Sequence, residues 1–265
     1  MRKLILLVGQ RFQLWERPVQ ISFILALGLL LLTFVAVAFG PLSLRQPALI
    51  GGLGLVIVAQ VIFMWANRNL VLPYTQAQRY YLAEDFPAAQ QILETVVANG
   101  KADFRALTLL GNTYRQLGRL DESQEVLTKA LAIRPSDPFP LYGFGRTLLI
   151  KGFYAEAADV INRALVAGAP VAVKIDLGEA LYRQGQKDEA RSVFQNNQLI
   201  DCEPYRKLMM VYLLHCLGAG EPPPRELLKA GLPFWRQQVE RFETTPYGQI
   251  LAADVQQMQA LIEET

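Results

Sequence analysis

Apolar positions fall into two regimes along this chain. Residues 19–66 are almost continuously apolar, whereas beyond residue 70 apolar side chains recur at helical spacing between charged ones. Val19–Phe39 runs for 21 residues without a charge, bracketed by Arg17-Pro18 and Gly40-Pro41. Crossing a bilayer takes about 20 apolar residues in a helix. The Leu, Ile, Val and Phe residues of this run favour insertion by roughly 4 to 8 kcal/mol before its small and polar residues are counted. Ala48–Ala66 is a second, less hydrophobic run, interrupted only by Gln60 and ending in Trp65. The pattern predicts a hairpin of two transmembrane helices, 19–39 and 48–66, joined by a turn through Gly40-Pro41 and Pro47. Ala48 and Gly52, four apart, allow close helix packing in lipid, either with the first helix or with a partner's. Gln60 would donate the interhelical hydrogen bond. A cleaved signal peptide fits poorly, because Leu4–Val8 is too short for its apolar core.

Beyond the hairpin one pattern returns. Leu110-Gly111, Tyr114, Gly118, Ser123, Leu127, Ala130-Leu131 and Pro135 come back 34 residues later as Phe144-Gly145, Leu148, Gly152, Ala157, Ile161 and Ala164-Leu165. A fainter copy follows at Leu177-Gly178, Leu181, Gly185, Ala190 and Phe194, and another precedes at Ala77, Tyr80, Glu84-Asp85-Phe86, Ala89 and Leu93. Each copy reads as helix, tight turn, helix. Gly111, Gly145 and Gly178 sit where the first helix must approach the second, and Tyr114, Leu148 and Leu181 share their face. Gly118, Gly152 and Gly185 follow the first helix, where a left-handed cap suits glycine. Acidic residues such as Asp121-Glu122 and Asp188-Glu189 then open the second helix, in keeping with its dipole.

This order of small and large residues at a 34-residue period resembles the tetratricopeptide repeat. The resemblance implies an all-α chain: a two-helix N-terminal transmembrane hairpin followed by an α-solenoid of about four repeats over 70–203, with C-terminal capping helices over 204–265. Tyr205–Leu217, Arg225–Lys229, Pro233–Phe242 and Tyr247–Glu264 are the helices predicted there. Such arrays need capped ends, and the last helix could serve as cap or bind a partner.

In this family the first helices line a concave groove that holds peptides or proteins, and catalysis is absent. Matching the groove positions onto this chain selects Arg105, Asn112, Phe139, Tyr142, Arg146 and Glu179 as partner-binding residues. Asn112 matches a position that hydrogen-bonds bound peptide backbone, Phe139 and Tyr142 are aromatic anchors, and the arginines favour an acidic or carboxylate-bearing segment. The groove could instead be filled by the chain's own C-terminal helices. A chaperone-type carboxylate clamp is disfavoured, since Thr108 stands where it needs lysine and its later basic pair is missing at Ala172 and Asp176.

Charge refines the picture. Residues 1–69 carry six basic side chains (Arg2, Lys3, Arg11, Arg17, Arg45, Arg68) against the single acid Glu16, so the net charge of +2 belongs to the N-terminal part. Segment 1–18, with Phe12, Leu14 and Trp15 among its basic residues, suits a helix at the membrane surface or a disordered leader. The basic flanks place both termini and the repeats in the cytoplasm at an inner (plasma) membrane of bacterial type. No basic stripe in the repeats favours nucleic acid. Cys202 and Cys216 lack disulfide-framework spacing. His215 beside Cys216 makes a poor metal pair, because adjacent residues point to different helix faces. No cofactor, metal, small-molecule substrate or catalytic constellation is expected. The reading is a membrane-tethered scaffold or assembly adaptor for a membrane-associated protein, or an accessory subunit of a larger membrane complex.

Overall fold

A computed structural model of the chain describes Phe12, Trp15 and residues 17–67, 73–100, 102–197 and 201–264. The basic segment 1–18 lies mostly outside the described residues. Every described element is a helix, and the chain divides into two units, 1–72 and 73–265.

The first unit is a hairpin of α1 (Arg17–Phe39) and α2 (Leu42–Asn67). Both are long and apolar enough to cross a membrane, with mean hydropathies of 2.7 and 2.2. Their contact is made by small residues: Ala26 and Ala59 are buried, and a Cβ on Gly52 would lie 3.2 Å from Thr33 Oγ1. Leu31, Leu32, Phe34 and Leu53 point outward. The described pair Phe12 and Trp15 packs onto the hairpin, Trp15 meeting Phe23 and Phe63 edge-on at 5.2 and 5.6 Å. Two expectations change. The turn is shorter than predicted, for α2 begins at Leu42 and runs through Pro47. In the second turn this proline withholds the N–H that would otherwise bond the Ser43 carbonyl. Gln60 is exposed instead of bridging the helices.

The second unit begins with four antiparallel hairpins: α3 (Pro73–Leu82) with α4 (Phe86–Ala98), α5 (Phe104–Gln116) with α6 (Leu120–Ile133), α7 (Pro138–Lys151) with α8 (Tyr154–Val166), and α9 (Val173–Gln184) with α10 (Lys187–Gln195). Asp85, Asp103 and Asp137 start α4, α5 and α7, each carboxylate accepting from a backbone N–H two or three residues on. The turn inside each hairpin takes a left-handed residue: Gly118, Gly152 and Gly185 at φ 75°, 86° and 91°, and Glu84 at φ 60° in the degenerate first copy.

The paired glycines are tighter still. A Cβ at Gly111, Gly145 or Gly178 would sit 2.5, 2.6 or 2.3 Å from Leu127, Ile161 or Phe194 of the opposing helix. Gly178→Ala should therefore destabilise the protein by about 2 kcal/mol: overpacking against the fully buried Phe194 outweighs the roughly 1 kcal/mol that alanine gains in helix propensity. Urea denaturation checks this, and an unchanged or raised midpoint would show that the ring yields.

Three helices complete the unit: α11 (Pro204–Cys216), α12 (Arg225–Phe242) and α13 (Pro246–Glu264). The two segments predicted at 225–229 and 233–242 are one continuous helix with Pro233 inside it. One hydrophobic core runs from Leu141 through Ile161, Phe194 and Leu213 to Trp235, Leu251 and Met258.

A concave groove filled by the chain itself

The first helices of the repeats line the concave face, and α12 lies in it. Its apolar residues Leu228, Leu232, Trp235 and Phe242 recur at helical spacing and are each at most 2 % exposed. At one end Gly231 packs on Leu208 of α11. Trp235 Nε1 donates to the Tyr205 carbonyl at 2.8 Å, and Phe234 stacks on the Tyr205 ring. At the other end Arg241 donates to Gln116 of α5 and lies over the Phe86 ring. Of the two roles open to the C-terminal helices, α12 takes that of groove occupant. A cavity of about 230 Å³ remains beneath it, bordered by Arg115, Tyr142, Arg146, Asp176 and Arg206 from the repeat side and by Trp235 and Gln238 from α12.

Three of the six residues selected from the sequence come together here in a buried ionic network. Asp176, on α9, is held from two sides: Arg146 Nη1 of α7 reaches its Oδ1 at 2.8 Å and Arg206 Nη1 of α11 reaches its Oδ2 at 2.6 Å. Tyr142 donates to Asp176 Oδ2 at 3.0 Å and accepts from Arg206 Nη2 at 2.9 Å. One turn along α9, Glu179 accepts from the Tyr247 hydroxyl of α13 at 2.8 Å and lies 3.6 Å from both Arg146 and Arg183. Arg183 also pairs with Asp254 of α13, which accepts from Tyr212 at 3.1 Å.

The electrostatics follow from this crowding. Burial is the largest single influence on Arg146 and Arg206 and opposes their charge, yet Asp176, Tyr142 and further neighbours together outweigh it and hold both guanidinium groups above the ordinary arginine value. Burial, reinforced by Asp176 for Tyr142 and by Glu179 for Tyr247, pushes both phenols up, so they stay protonated donors at neutral pH. The network thus neutralises charge and ties α7, α9, α11 and α13 together. Arg115 differs: it bonds the Asn112 side chain at 2.8 Å and the Gly143 carbonyl at 3.3 Å, and burial lowers its value.

The remaining selected residues lie elsewhere. Asn112 is half-buried against Arg115. Arg105 and Phe139, one residue into α5 and α7, are exposed, Phe139 to 68 %. Asp176, Arg183, Arg206, Tyr247 and Asp254 were not among the residues selected. A partial signal for Asp176 exists: it stands between the apolar Ile175 and Leu177 on a repeat's first helix, and an acid buried there demands a cation. Among the described residues no His, Cys, Asp and Glu cluster suits a metal, and burial raises both Cys202 and Cys216, which keeps the thiols protonated.

A solenoid of helical hairpins with an apolar, polar-anchored groove belongs to the class of protein-interaction scaffolds. Its repeats are tetratricopeptide repeats: the profile of that family matches residues 74–138 and 142–196, and the chain carries a domain of this kind. A thermophilic TPR protein of Thermus thermophilus, TTC0263, is similar in fold at 17% identity and a TM-score of 0.51, over 71% of this chain and 97% of that one. MamA of strain MSR-1 is similar at 22% identity and a TM-score of 0.47, over 65% of this chain and 95% of that one. No curated protein matches the sequence.

Proposed function

We propose that the protein is a membrane-tethered interaction scaffold that engages its partner outside the part of the groove held by α12. The seated helix α12 carries this reading, because it removes Tyr142, Arg146 and Glu179 from a partner's reach and leaves Arg105 and Phe139 at the open ends of α5 and α7. The tether rests on α1 and α2. A core helix of a soluble protein buries its leucines, whereas here Leu31 and Leu32 are each 64 % exposed. By the distribution of Lys and Arg, both chain ends and the repeats are cytoplasmic. Confinement near the bilayer raises the effective concentration of the scaffold toward membrane-bound partners.

Photo-crosslinking in native membranes tests this. The full chain, carrying a benzoylphenylalanine at Arg105, Phe139 or, as interior control, Gln238, is expected to resist alkaline carbonate extraction. Intermolecular adducts should form from 105 or 139 only. Release by carbonate would remove the tether, and a partner adduct from 238 would show that α12 leaves the groove.

The exposed Gln60 favours a second reading. A polar side chain turned toward lipid is costly and is relieved by a neighbouring helix, which suits an accessory subunit packed laterally through α2. Co-migration with a larger complex in native gels, lost in Gln60→Leu, would select this reading.

A further inference from the structure

Two polar side chains at the cavity between the repeats and α12 are not satisfied by the protein. Gln238 of α12 borders the cavity and is only 5 % exposed, yet its amide makes no hydrogen bond among the described residues. Buried amides are bonded in the great majority of cases, so one left over at a cavity points to an occupant of that cavity. Arg115 of α5 borders it from the other side. Both of its protein bonds, to Asn112 Oδ1 and to the Gly143 carbonyl, use Nη1. The edge formed by Nε and Nη2 has no acceptor among the described residues.

Arg115 also lacks a counter-charge. Arg146 and Arg206 share Asp176, Arg206 further meets Glu203 at 3.2 Å, and Arg183 pairs with Asp254 and Glu179. Among the described residues no carboxylate lies within ion-pair distance of Arg115. Burial, first among the influences on it, puts its pKa below the ordinary arginine value, the reverse of the other three. Charges withdrawn from water are normally paired. Asp176 and Glu179 border the same cavity but are already engaged by arginines. Three arginines against two carboxylates leave the lining with one positive charge.

The rest of the wall is largely apolar, with Ile175 on the repeat side and Trp235 and Phe242 on α12. A volume of about 150 Å³ already admits a benzene ring, so 230 Å³ takes a small molecule. Pockets for drug-sized ligands begin near 300 Å³. We propose that this cavity binds a small monocarboxylic acid with an apolar body. Nε and Nη2 of Arg115 grip its carboxylate side-on, in the two-pronged geometry that guanidinium and carboxylate share. The Gln238 amide donates a further bond, and the body of the acid lies against Trp235 and Phe242. A dianion such as phosphate would exceed the one positive charge on offer, beside Asp176 and Glu179. Since Arg115 belongs to the second repeat and Gln238 to α12, the bound acid fastens α12 into the groove. This inference does not depend on the membrane tether.

Isothermal titration of the full chain in dodecylmaltoside, at fixed ionic strength, tests this. Benzoate and butyrate are the probes, benzyl alcohol and inorganic phosphate the comparisons, and circular dichroism follows melting. At least one of the two acids is expected to bind one to one and to raise the melting temperature, and neither comparison should. Arg115→Met should weaken that acid by about 10- to 100-fold, the worth of a charge-assisted contact. Gln238→Glu supplies the carboxylate from α12 itself, so it should raise the melting temperature of the unliganded protein and abolish binding of the acid. That variant decides the matter if Arg115→Met fails to fold. Three results overturn the proposal. Neither acid binds, which leaves water alone to meet both side chains; an acid binds wild type and the folded variants equally; or Gln238→Glu lowers the melting temperature. Phosphate binding as tightly as the acids would overturn the assignment to a carboxylic acid.

Discussion

Ending the chain at Pro224, so that α12 and α13 are missing, should leave the repeats without a stable native state. The two helices bury Leu228, Leu232, Trp235, Phe242, Tyr247, Leu251, Val255 and Met258, none more than 6 % exposed. At about 1.5 to 3 kcal/mol for each side chain, this burial contributes on the order of 12 to 24 kcal/mol, as much as or more than the whole stability of a domain. The truncated protein is expected to aggregate or to lose cooperative unfolding, and a synthetic peptide of residues 225–265 should restore a folded complex. Size-exclusion chromatography with thermal unfolding by circular dichroism gives the answer. A monomeric fragment that melts cooperatively would show that the groove tolerates being empty. The same magnitude argues against simple competition for the groove: a partner helix would have to match the entire contribution of α12 and α13 before binding at all.

Asp176→Ala should be the most damaging single substitution. It leaves Arg146 and Arg206, whose side chains are 12 % and 15 % exposed, as buried cations without their shared carboxylate, and it removes the acceptor of Tyr142. Breaking a buried ion pair from one side costs about 3 to 5 kcal/mol, whereas replacing the group by apolar residues of similar size can be neutral. The triple variant Arg146→Met, Asp176→Leu, Arg206→Met is therefore expected to regain much of what Asp176→Ala loses. Urea denaturation of the two proteins checks this, and a loss below about 1 kcal/mol in Asp176→Ala would mean that water reaches the network and carries its charge.

What could be read from the sequence was local. The period of 34, the glycines opposite Leu127, Ile161 and Phe194, and the glycine turns follow from spacing, because each concerns residues within one hairpin. The hairpin of α1 and α2 follows equally from an uncharged run of sufficient length. Less was legible where a residue's effect depends on distant partners. Pro233 looks like a helix boundary, yet α12 continues through it. The apolar residues of α12 recur at helical spacing once Pro233 is taken into the helix, but periodicity tells that a face is buried and not against what. The same holds at the candidate site. Family positions picked out Tyr142, Arg146 and Glu179, while Arg206 and Tyr247, which complete their network from 64 and 68 residues along the chain, carry no local mark.

The bond from Arg241 to Gln116 joins residues 125 positions apart and ties α12 to the second repeat. An open array of repeats can fray from its ends one repeat at a time. Here the last helices clamp the second repeat to the fourth and to α11, so loosening any one of them loosens the clamp, and the array should melt as one block. Order of synthesis then matters. The ribosome delivers the hairpin first and the clamp last, so throughout translation the growing solenoid stands with its interior uncovered. The interval before residues 225–265 emerge is when this protein is most exposed to chaperones and to proteases.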